Sequence, residues 1–93
     1  MVQPSVQNIK FGRAAPGISV RDIQAAYAFY SSVFGFQKVF ENGDPVGFMV
    51  LKKDGAEIHL NQARDHRPTT VNVFHMFVDD VAGLYAICVS AGV

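Results

Sequence analysis

Residues 18–23 read Ile18-Ser19-Val20-Arg21-Asp22-Ile23, and residues 76–81 read Met76-Phe77-Val78-Asp79-Asp80-Val81. In each stretch an apolar run is followed by an aspartate and an aliphatic residue, and a tyrosine stands five positions after the aspartate. The two aspartates, Asp22 and Asp80, lie 58 positions apart, which is too far for a short-period solenoid repeat. We therefore expect two structural modules placed face to face.

The second copy of this pattern is shorter than the first. It reaches its closing glycine at Gly92 and the sequence ends one residue later, whereas the first copy closes at Gly35 and continues. We therefore expect the second module to be incomplete. An open module exposes a whole sheet face, and such a face needs a covering partner.

The first half of the chain predicts a βαβββ module over residues 14–61. Asp22 is a good N-cap for a helix, and Gly35 suits the left-handed position after it. Residues 42–45 and 53–55 carry the glycine, proline and aspartate typical of tight turns between strands. The four predicted strands are residues 14–20, 36–41, 46–52 and 56–61.

The second half predicts only the beginning of a matching module. Residues 62–70 are polar and predict a connector rather than a domain boundary. Residues 71–78 predict a strand, and Asp80 is expected to cap a helix that ends at Gly92. We therefore expect a single domain over residues 1–93, with the second module starting at residue 71.

Composition limits the classes of partner. The 93 residues are 49% hydrophobic and 17% charged, which is typical of a globular chain, and the formal net charge is zero. A neutral chain gives no electrostatic reason to expect nucleic acid or a membrane surface as partner. A single cysteine, Cys88, excludes an internal disulfide and fits a reducing compartment. Because residues 1–7 also lack the pattern of a signal peptide, we expect a cytoplasmic protein.

Several motifs, in their order and spacing, resemble those of the vicinal oxygen chelate superfamily, which includes glyoxalase I, extradiol dioxygenases, and fosfomycin and bleomycin resistance proteins. The resemblance covers residues 14–93. It implies an α+β fold of paired βαβββ modules that curve around a cavity, usually with dimerisation. The motifs that carry it are residues 18–23, Phe29-Tyr30, Phe34-Gly35-Phe36, Glu57-Ile58-His59-Leu60, residues 77–81 and Ala91-Gly92-Val93.

Side-chain alternation along the predicted strands selects candidate ligand-binding residues, because successive residues point to opposite faces. If the apolar Ile18 and Val20 face the helices, their neighbours on the first strand face the cavity. The same argument applies to Ile58 and Leu60 on the fourth strand. The candidate cavity residues with polar or aromatic groups are Ser19, Glu57, His59, Asn61, His75 and Phe77.

The resemblance also supplies a test for a metal site. Metal-using members place their ligands on the first and fourth strands of each module, and the matching first-strand positions here are Ala15 and Val73, which cannot bind a metal. Only Glu57 matches a ligand position. A shifted site for a divalent ion, built from Glu57, His59 and His75, is the alternative.

These residues favour a metal-free, non-catalytic binding protein, closest to the bleomycin resistance proteins. Such a protein would sequester an antibiotic or another small organic ligand in a cleft at the interface of a homodimer. Two alternatives remain open. One is a metal-dependent lyase, transferase or dioxygenase of the same superfamily. The other is a dimerising remnant without ligand chemistry, in which two chains exchange elements to cover the open sheet.

Each candidate also has a purely structural interpretation. Glu57 and His59 could be polar residues of a solvated sheet face, and His75 a hydrogen-bonded interior histidine. Residues 64–67 predict a solvated loop, and Cys88 a buried, inert thiol.

Overall fold

A computed structural model describes residues 6–67, 69 and 73–93 of the chain. After a short 3-10 turn at Val6–Asn8, it contains four strands and two α-helices. The elements are β1 (Gly17–Val20), α1 (Ile23–Phe34), β2 (Gln37–Gly43), β3 (Val46–Lys53), β4 (Ala56–Gln62) and α2 (Val81–Ser90). Among the described residues, no helix has both the length and the apolar character needed to cross a membrane.

Helix α1 begins and ends where its sequence predicts. The Asp22 carboxylate accepts hydrogen bonds from the backbone amides of Gln24 and Ala25, both at 3.1 Å, which satisfies two amides that have no partner within the helix. At the other end Gly35 takes a left-handed conformation with φ of 78°, and its amide donates to the Ser31 carbonyl at 3.0 Å. The predicted cap and stop are therefore confirmed.

The four strands form one sheet in the order β1-β4-β3-β2. Strand β1 runs parallel to β4, while β4 with β3 and β3 with β2 are antiparallel. The strand predicted from residue 14 begins at Gly17, although the His59 amide still donates to the Pro16 carbonyl at 2.9 Å. The first βαβββ unit is therefore present, with its first and last strands side by side.

The hydrophobic core lies on one face of this sheet, beneath α1. Six of the described residues form a buried cluster, and four of them have no exposed surface. The cluster is Ile23, Phe36, Met49, Leu51, Ile58 and Leu60. Because these residues all lie on the helix side, the opposite face of the sheet is left for other contacts.

Side-chain hydrogen bonds of Gln62 link the turn between β1 and α1 to the end of β4. Its side-chain oxygen accepts from the Ile23 amide at 2.8 Å, and its side-chain nitrogen donates to the Arg21 carbonyl. The Ala63 amide adds a bond to the Val20 carbonyl at 2.7 Å. Gln62 was assigned to the connector from sequence, whereas it is the last residue of β4.

The second copy of the pattern forms its helix but not its strand. Helix α2 follows Asp80, whose carboxylate accepts from the Gly83 amide at 2.8 Å. The predicted strand over residues 71–78 is wrong for residues 73–78, which have no strand conformation and are exposed. Residues 71 and 72 lie outside the described residues. A strand is held by hydrogen bonds to a neighbouring strand, and none in the described part of the chain pairs with this segment.

Helix α2 is apolar around much of its circumference, yet none of its residues is buried. Leu84 and Cys88 are half-buried, so the thiol expected to be buried is only partly covered. Val81, Tyr85 and Val89, spaced four apart, form a stripe that is 58–72% exposed. An exposed apolar stripe of this kind is normally covered by another element or by a partner chain.

Candidate functional site

The candidate site is the face of the sheet opposite α1, called here the open face. Strand β4 directs Ile58 and Leu60 into the core, and so presents its odd-numbered residues on the open face. The parallel register pairs Gly17 with His59 and Ser19 with Asn61. Four of the six sequence-predicted residues thus share this face: Ser19, Glu57, His59 and Asn61.

Strand β3 contributes an aromatic surface that the sequence analysis missed. Its register places Phe48 beside Asn61 and Val50 beside His59. The Phe48 ring meets the His59 ring edge-to-face, with centroids 5.4 Å apart, and the Phe40 ring lies 6.1 Å from Phe48. The signal was available, because Phe48 and Val50 alternate with the core residues of β3.

A charged cluster lies beside these rings. The His59 Nε2 and the Glu57 Oε2 are 2.7 Å apart, and the Arg13 guanidinium contacts the Glu57 Oε1 at 2.9 Å through its terminal nitrogen. The hydrogen bond from His59, followed by that from Arg13, lowers the pKa of Glu57, with partial desolvation acting in the opposite direction. Glu57 is therefore an anion held between two donors. Arg13 could not be selected from sequence, since it precedes β1 in a segment without a periodic pattern.

The ionised state of Glu57 determines which hydrogen-bonding groups remain free for a ligand. An ionised carboxylate only accepts hydrogen bonds, so the proton between the two side chains belongs to His59 Nε2. The other ring nitrogen of His59, the Asn61 amide and the Ser19 hydroxyl have no hydrogen-bond partner among the described residues. The open face therefore offers solvent-accessible polar groups that no described residue pairs, next to apolar rings, which suits an organic molecule.

Gly17 keeps the space above β1 open. A Cβ at this position would lie 3.6 Å from the Asn61 amide nitrogen, in ordinary contact with it. A side chain at this position would therefore occupy the surface beside Asn61.

The structure does not bring the remaining two predicted residues to this face. His75 and Phe77 lie in the segment that fails to form a strand, and Phe77 is 98% exposed. The alternative metal set of Glu57, His59 and His75 is not assembled either, since no three potential ligands of the described residues come together. No strand of the described residues pairs with the segment that carries His75.

Comparisons with known proteins give a consistent result. A sequence model of the Glyoxalase/Bleomycin resistance protein/Dioxygenase superfamily matches residues 10–93. A bleomycin resistance determinant encoded on the transposon Tn5 is 26% identical, with a TM-score of 0.71 over 89% of this chain and 67% of its own. A bleomycin-binding protein in complex with bleomycin is 26% identical, with a TM-score of 0.70 and the same coverage of both chains. A search of curated proteins found no match.

The lowered pKa of Glu57 predicts a specific response of stability to acid. Its ion pairs contribute stability that is complete above the unfolded-state pKa of roughly 4.3 and is lost as the pH falls through the lower folded-state pKa. Glu57→Gln should therefore lose less stability than the wild type between pH 5 and pH 2, measured by urea unfolding. Glu41→Gln, which removes the other glutamate of the chain from its contact with Lys38, is the control. An acid response of Glu57→Gln equal to that of the wild type would contradict the cluster.

Proposed function

The chain belongs to the glyoxalase/bleomycin resistance protein/dioxygenase superfamily, and from this we propose that it is a metal-free protein that sequesters a small organic ligand. The observation that carries the proposal is the open face, where aromatic rings lie beside polar groups that have no partner among the described residues. The structural neighbours bind or confer resistance to bleomycin, which supports a binding role. An antibiotic is therefore the first class of ligand to test.

The donor set does not fit a catalytic metal ion. The two positions that match the family's first-strand metal ligands are Ala15 and Val73, which offer no side-chain donor. Glu57 matches a ligand position, but its carboxylate is already held by His59 and Arg13. A metal centre would require several oxygen or nitrogen donors that converge on one point. We therefore propose binding without catalysis.

The proposed ligand has an apolar, preferably aromatic, part and at least one hydrogen-bonding group. The rings of Phe48 and Phe40 would pack against the apolar part, since edge-to-face and stacked rings attract each other beyond the area they bury. The free nitrogen of His59, the Asn61 amide and the Ser19 hydroxyl would orient it. Apolar contacts that bind a ligand and a few polar groups that orient it are typical of small-molecule sites.

We further propose that a second copy of the chain completes the cleft, as a homodimer that could exchange elements. The open face has no covering layer among the described residues, and a sheet of four strands is stable only when its apolar groups are covered. The exposed stripe of Val81, Tyr85 and Val89 supplies apolar surface for such an interface. With its single cysteine, the protein is proposed to act in the cytoplasm.

Ligand binding is tested by a thermal-shift screen that includes bleomycin and other aromatic antibiotics. We expect at least one compound to raise the Tm, and Phe48→Ala to weaken its binding by about tenfold, which corresponds to about 1.4 kcal/mol. Phe29→Ala removes the same side chain from α1, away from the open face, and should bind as the wild type does once it is shown to fold. A screen in which no compound stabilises the protein would count against a binding function.

The dimer and the absence of metal are tested together by native mass spectrometry of protein purified without chelator. We expect a species of about twice the chain mass of 10.2 kDa, without a stoichiometric ion. Tyr85→Glu should shift this species toward the monomer, because a charge in an apolar interface must be desolvated. Gln24→Glu, at an exposed site on α1, is the control. A wild-type monomer would contradict the dimer, and a divalent ion that is lost in Glu57→Ala would contradict metal-free binding.

A further inference from the structure

We propose that a second site, at the end of the sheet where β1 and β4 stop, binds the phosphate group of a small molecule. The two strands are parallel neighbours, and Val20 at the end of β1 pairs with Gln62 at the end of β4. The residues that follow parallel strands meet at the same edge of a sheet. Here they are Arg21 on one side and residues 64–67 on the other.

The backbone of this edge is fixed by hydrogen bonds. Gln62 accepts from the Ile23 amide and donates to the Arg21 carbonyl, and the Ala63 amide donates to the Val20 carbonyl. The turn that carries the remaining residues is closed by the His66 amide, which donates to the Ala63 carbonyl at 2.9 Å. The backbone at Arg21 is therefore tied to the start of the turn that carries Arg64, Asp65 and His66.

An open, basic cavity lies at this edge, and four of its five lining residues are exposed to solvent. Its volume is about 390 Å³, and it is lined by Arg21, Arg64, Asp65, His66 and Arg67. Three guanidinium groups against one carboxylate give a local charge of +2 when His66 is neutral, on a chain with no net charge. Within the described residues, none of the three guanidinium groups has an ion pair, and neither has Asp65. The three arginines are thus gathered here with a single carboxylate, and none of them is paired with it.

The guanidinium groups that line the cavity favour a phosphate ester as the ligand. A guanidinium group presents parallel N–H donors that match two oxygens of a phosphate, and several such groups favour a multiply charged anion. A phosphate monoester carries a charge of about −1.5 to −2 near pH 7, which balances the local charge, whereas a carboxylate carries only one. The cavity volume lies in the lower part of the roughly 300–1,000 Å³ range of small-molecule sites. Room therefore remains for an organic group attached to the phosphate.

Helix α1 does not supply this site with free amides. The amides of Gln24 and Ala25 donate to Asp22, and that of Ile23 donates to Gln62. Recognition therefore rests on the arginine side chains, and substitutions there test it directly.

The experiment is a calorimetric titration at low ionic strength with phenyl phosphate and with inorganic phosphate. We expect both to bind, with phenyl phosphate the tighter, and Arg64→Gln and Arg67→Gln each to weaken binding at least fivefold. Arg64→Lys keeps the charge but not the paired donors, and is expected to weaken binding by a smaller factor. Lys10→Gln removes one exposed cation outside the cavity and is the matched control. Circular dichroism checks that each variant keeps the wild-type fold.

Two results would overturn the proposal. One is failure of both phosphates to bind, and binding of heparin or single-stranded DNA in that case would indicate a nonspecific polyanion surface. The other is an equal loss in Lys10→Gln and Arg64→Gln. The site is independent of the open face, so Phe48→Ala should leave phosphate binding unchanged. Failure here would therefore not bear on the binding function proposed for the open face.

Discussion

The alternation of side chains along β4 is the constraint on which the rest of the structure depends. This strand lies between β1 and β3, and it places Ile58 and Leu60 in the core with no exposed surface. Burial of those two side chains forces Glu57 and His59 onto the opposite face. A shift of one residue would bury Glu57 and His59 and expose the core, so the fold and the candidate site are fixed by the same register.

The same alternation leaves the candidate site on an uncovered face of the sheet. Helix α1 covers one face of the sheet, while the open face carries a charged cluster, aromatic rings and solvent-accessible polar groups, and no second layer of the described residues covers it. The family fold would supply that layer from a second module, of which α2 is the described part with regular structure. A partner copy that covers both the open face and the exposed stripe of α2 would complete the protein's core and its cleft together.

The sequence predicted those parts of the molecule that depend on local signals. Asp22 and Gly35 set the bounds of α1 through backbone hydrogen bonds within a few residues of themselves, and the alternation along β4 correctly predicted which of its residues face away from the core. The strand at residues 73–78 failed because a strand depends on a neighbour that the local sequence does not provide. Arg13 and Gln62 were missed for a related reason, since each acts through contacts about 40 or more positions away along the chain.

The most direct test of the central claim, that the open face is the ligand site, is an NMR titration of isotope-labelled protein with a compound that stabilises it. We expect the largest amide shift changes on residues 48–50 of β3 and 57–61 of β4. The His59 ring signals should move as well, because one of its nitrogens is free to contact the ligand. Changes confined to α1 or to residues 64–67, with the β3 and β4 signals unmoved, would contradict it.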